Sequence, residues 1–196
     1  MNRVALAFAI GSLVVSAAGF AAAQEMPSPP PPYATPTPIP NSYNDPAMSF
    51  VAPSDFYQAP IPPHDPMNFD NPTTVAEWFR HPGQRDQQII SITMENQDAS
   101  LAGFEMNTEN SLRDSADNVF FKQHQTTTLS NGMPAVWQEI SVGSGFDEIK
   151  RFDYVWVDGV RGVTLAITAR YGEIDEATAR KDLANASAVL YPRNRR

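Results

Sequence analysis

The sequence predicts an α+β domain, an antiparallel β-sheet flanked by helices, preceded by a signal peptide and a disordered proline-rich segment. Three observations lead there. Between Gln88 and Arg170, short β-branched and aromatic runs are separated by turns rich in glycine and asparagine. Two stretches, beginning near Leu101 and Glu176, carry helix periodicity instead. Fourteen of the eighteen prolines fall between Pro27 and Pro66, where no core can be built.

The first element is an export signal over residues 1–23. Arg3 supplies a positive start, Val4 to Phe20 an uncharged apolar run, and Ala21-Ala22-Ala23 the small residues ahead of Gln24. The stretch only approaches the ~20 apolar residues that cross a bilayer and is rich in Ala, Gly and Ser, so it reads as cleaved, leaving no transmembrane helix in the mature chain. The expected location is periplasmic or extracellular. The chain has no cysteine, which excludes a lipid-anchored lipoprotein and any disulfide.

Residues 24–70 read as a disordered tether that favours extended polyproline II. It serves first as a spacer. Tyr33, Tyr43, Phe50, Phe56, Tyr57 and Phe69 are interleaved with its prolines and are able to dock on a partner groove or fold back over the domain. Residues 71–192 form the expected globular domain, long enough for one hydrophobic core. Arg193, Arg195 and Arg196 in the 193–196 tip read as a solvated terminus. With 14 Lys and Arg against 22 Asp and Glu, the net charge is −8, which suits no phosphate backbone, so no nucleic-acid partner is expected.

Within the domain, Gln88–Glu95 is a strand carrying Ile89, Ile90, Ile92 and Met94. Asp98 then reads as a helix N-cap, with Leu101, Phe104, Thr108 and Leu112 on one face. Val119–Leu129 and Ala135–Val142 are strands joined through Asn131-Gly132. Ile149–Val157 and the Val163–Ala169 run form the best-defined hairpin, reversing at Asp158-Gly159. In the first of these, Phe152, Tyr154 and Trp156 share one face, while Arg151, Asp153, Val155 and Val157 share the other. The last helix starts at an Asp175 cap, buries Ala179, Leu183, Ala186 and Leu190, and stops at Pro192.

This arrangement resembles the sandwich of PsbP-like and DcrB-like proteins. The residues that carry the likeness are Asn131-Gly132-Met133-Pro134-Ala135, the Tyr154 to Gly162 hairpin and the Ile174 to Pro192 helix. The resemblance rests on element order across about 120 residues and brings no binding motif with it. It implies a non-enzymatic partner or accessory subunit of a larger assembly.

The residues themselves offer little catalytic chemistry. There is no G-x-S-x-G elbow, HExxH, calcium loop or phosphate loop, so neither metal nor cofactor is expected. His81 and His124 read as exposed or satisfied histidines. Glu139, Asp147, Glu148, Asp153 and Asp158 lie on or near neighbouring strands and suit edge protection better than paired-carboxylate catalysis. The candidate binding face comprises Trp137, Tyr154, Trp156, Arg151, Asp153 and Arg170. The expected function is therefore an exported, non-catalytic accessory or protein-binding module of the cell envelope or extracellular space. The alternative is a binder of sugar, peptide or lipid, or a hydrolase, using an aromatic-lined groove.

Overall fold

Alternation is cleanest in β5 (Gln88–Asn96), where Ile90, Ile92 and Met94 point inward and are fully buried. Its partners extend the pattern. In the computed structural model, which describes residues 41–45, 48–61, 69, 71–97, 99–145, 148–170 and 173–190, β5 lies in a seven-stranded sheet of order β3-β4-β5-β9-β8-β7-β6. The other members are β3 (Tyr57–Gln58), β4 (Thr73–Arg80), β6 (Val119–Thr128), β7 (Pro134–Val142), β8 (Ile149–Val157) and β9 (Arg161–Arg170). Every described strand pair is antiparallel. The α+β class is thus as the sequence predicts, while the signal segment, residues 24–40 and the arginine tip lie outside the described residues.

Register places Ile90 beside Ile167, Ile167 beside Phe152, and Leu165 between Ile92 and Tyr154. Trp137 sits next to Tyr154 across the β7–β8 ladder. This apolar face is covered by a second sheet, β1 (Ser42–Asp45), β2 (Met48–Val51) and β10 (Ser187–Ala188), together with α2 (Glu176–Leu183). Met48, Phe50, Phe56, Ala179, Leu183, Ala186 and Ala188 complete one continuous core.

The domain therefore begins earlier than residue 71. Residues 42–58, expected within the disordered tether, form β1, β2 and β3, and Phe50 and Phe56 are wholly buried. The folding-back of tether aromatics is what these two side chains do. Phe50 meets Trp78 edge-on at 5.3 Å between centroids, and the Arg80 guanidinium lies 4.2 Å from the Phe56 ring centre. Arg161 adds a polar tie, reaching Asp45 at 2.7 Å and Asp158 at 2.8 Å. β2 is only four residues long, and prolines stand on either side of it in the sequence, which hides its strand character.

Two further corrections concern the first and last elements. Upstream of the Gln88–Glu95 strand expected to come first, Trp78 and Phe79 lie within strand β4; a bulge between Thr74 and Ala76 buries both Val75 and Ala76 and breaks the alternation. The last helix keeps its Asp175 cap, which accepts from Thr178 N at 2.7 Å, but ends at Leu183. Ala186 is then buried outside the helix, next to β10, and Leu190 is 67 % exposed. The cause is tertiary. Ser130 Oγ donates to the Ala186 carbonyl at 2.6 Å, the Asn131 side chain donates to the Ala188 carbonyl, and β2 pairs with Ser187 and Ala188.

The opposite face of the sheet carries α1 (Leu101–Ser115), which packs on β8. Ser100 caps it by accepting from Gly103 N; Asp98, expected as the cap, lies outside the described residues. Phe104 seats over Gly162, where an added Cβ would stand 2.3 Å from the ring. Gly162→Ala should therefore destabilise the fold by about 1–3 kcal/mol through overpacking. Chemical denaturation should show that cost shrinking in a Phe104→Ala background; an equal cost in both backgrounds would mean the ring is not the obstacle.

Candidate carboxylate–histidine site

A helix that lies on a sheet ordinarily turns apolar side chains toward it, yet α1 also turns Glu105 and Glu109, one turn apart, onto strands β6, β7 and β8. Register explains what they meet. His124 of β6 pairs with Gln138 of β7, and Gln138 pairs with Asp153 of β8, so three polar residues occupy one row across the sheet.

The geometry is close. His124 Nε2 lies 2.6 Å from Glu105 Oε1. Gln138 Nε2 donates to Glu105 Oε1 at 3.3 Å and Glu109 Oε1 at 3.4 Å. Arg151 Nε donates to Asp153 Oδ2 at 2.8 Å. Gln138 and Asp153 are fully buried, Glu105 nearly so, and the His124 side chain is half exposed. Gln138 Oε1 and Asp153 Oδ1 are buried without hydrogen-bond partners.

Burial pushes the Asp153 carboxyl above its ordinary 3.8; Arg151 opposes that shift and Glu109 adds to it. Burial likewise raises Glu105 above 4.5, with His124 pulling the other way. The row thus holds three carboxyl groups against one guanidinium and one imidazole. Such a set is able to bind a cation or to pass a proton between His124 and Glu105.

The binding face expected from sequence is divided between two sides of the sheet. Trp137 and Trp156 are wholly buried and Tyr154 is 9 % exposed, all three in the core. Trp137 contacts Phe152 and Tyr154 at 5.6 and 4.7 Å between centroids. Tyr154 does border a hollow of about 170 Å³ with Leu129 and Leu183, below the ~300 Å³ at which small-molecule pockets begin. Arg151 and Asp153 lie on the α1 side, and Arg170 is exposed at the end of β9.

The remaining acidic candidates are paired singly. Glu139 meets Lys150, Glu148 meets Lys122 and Asp158 meets Arg161, while Asp147 lies outside the described residues. His81 pairs with Asp86 at 2.7 Å on the surface. Sequence reading missed Glu105, Glu109 and Gln138. The available signal was polar residues at inward positions of β7 and β8, facing a helix whose Glu105 and Glu109 flank its Phe104 and Thr108 face.

No protein-family model matches the chain, and no curated protein matches it. Among solved structures, a protein of Bacteroides thetaiotaomicron VPI-5482 is similar at 10 % identity and a TM-score of 0.45, over 76 % of this chain and 48 % of its own. The chain spans about half the length of that protein, and the likeness is too slight to carry an argument about fold or activity.

Because the folded state holds Asp153 above 3.8, protonation favours folding, and that contribution is lost as pH rises from 3.8 through the raised value. Asp153→Asn removes the ionising group. The difference in Tm between variant and parent should move in the variant's favour as pH rises from about 4 toward neutrality, then level off. A pH-independent difference would show that the carboxyl is not held in this way.

Proposed function

We propose that the chain is an exported, non-catalytic accessory module that binds a partner protein by accepting an extended segment of it along β6. The observation that carries this reading is the outer edge of the large sheet. Gln123–Thr128 is a regular six-residue stretch of β6 beyond its bulge, and among the described residues it pairs only with β7. A strand in that position offers alternate backbone donors and acceptors to a further strand.

Charge gives the segment its chemistry. Glu109 lies on the α1 side of β6; on the α2 side Glu176 is paired with Arg180 at 2.7 Å, and Arg180 also reaches Gln125 at 3.1 Å. On a chain of net charge −8, a basic extended segment is favoured. The export-signal layout and the resemblance in element order to PsbP-like and DcrB-like proteins agree with an accessory role. The aromatic-groove alternative loses its support because its aromatics are spent on the core.

Of two neighbouring strand residues, one directs its N–H away from the sheet. Thr126→Pro and Thr127→Pro therefore form a matched pair: one should keep the parent's Tm and lose the partner, the other should lose a ladder bond and stability. Capture from an envelope extract by the full-length chain checks this. A partner retained by both variants, or no reproducible partner at all, would count against the proposal.

A further inference from the structure

We propose that Glu105, Glu109 and His124 form a binding site for a divalent transition cation, with zinc as the best fit, and that Gln138 orients its two carboxylates. The site goes beyond the partner-binding reading and stands without it. One ligand atom from each of the three residues lies within 4.8 Å of the others. A tetrahedral zinc with ligands at about 2.1 Å needs ligand atoms roughly 3.4 Å apart, so the His124–Glu105 pair at 2.6 Å must open, an adjustment that the half-exposed His124 and the partly exposed Glu109 allow. The imidazole selects against calcium and magnesium, which prefer all-oxygen shells.

A second observation points to the same place from below. Gln138 is wholly buried, its amide reaches both glutamates, and its Oε1 has no partner. One amide group and one imidazole face two carboxylates, with buried Asp153 adjacent to Gln138 in register. A divalent ion replaces the proton of the His124–Glu105 contact and balances the two glutamates, while the Gln138 amide keeps its hydrogen bonds to them. Arg151 stays on Asp153 at 2.8 Å, leaving that carboxylate to support the row without coordinating.

The test is calorimetric titration of ZnCl2 into the full-length chain, alongside His124→Ala, Glu109→Gln and, as a control, His81→Ala. One zinc per chain should bind, with affinity falling by ~10-fold or more in His124→Ala and Glu109→Gln and unchanged in His81→Ala. Glu109 is only half-buried, so its variant separates lost coordination from lost folding, checked by an unchanged Tm without metal. Calcium should bind more weakly than zinc. Absence of zinc binding, or binding insensitive to both site variants, overturns the proposal.

Discussion

The apolar face of the seven-stranded sheet is wider than one short helix can cover, and most of the architecture follows from that mismatch. Seven strands about 4.8 Å apart span ~29 Å, whereas the eight residues of α2 extend ~12 Å. Left with α2 alone, Trp78, Ile90 and Met94 would face water. Residues 42–58 close the gap with Met48, Phe50 and Phe56, and the chain after α2 leaves the helix to add β10 to the same cover. Burial of apolar surface, at about 25 cal/mol per Å², outweighs the poor strand propensity of a proline-rich stretch.

The two faces of the sheet divide the labour. One is nearly all hydrocarbon and aromatic ring, with Trp137, Phe152 and Tyr154 in mutual contact. The other accepts polar residues at positions that a stability-driven sequence would fill with aliphatic ones. Asp153 and Gln138 each bury an oxygen without a partner, a cost of about 1–3 kcal/mol per group. Departures of this kind from binary patterning concentrate where a surface has a task, and here the same row reaches the outer edge at His124.

Much of the sheet was legible in the sequence. β8 is bounded as predicted at Ile149 and Val157, with Phe152, Tyr154 and Trp156 on one face, and Asp158-Gly159 gives the turn its positive φ of 105° at Gly159. β5, β6, β7 and β9 match expectation within two residues, because strand period and turn chemistry are local signals. What was illegible depends on distant partners. β10 exists only because β2 and the Asn131 side chain hold it, and β2 is masked by its flanking prolines. The bulge in β4 hides a strand by burying neighbours. At the site, Asp153 was singled out, but Glu105 and Glu109 meet His124 only through the packing of α1 on β8, which no spacing encodes.

The most direct test compares chains beginning at Asn41 and at Asn71 by thermal unfolding and by the near-ultraviolet signal of their tryptophans. If residues 42–58 are part of the core, the longer chain unfolds cooperatively with fixed aromatic packing, while the shorter one loses that signal, binds hydrophobic dye and melts without a sharp transition. A shorter chain that keeps the same Tm and the same aromatic signal would contradict the claim that these strands are structural.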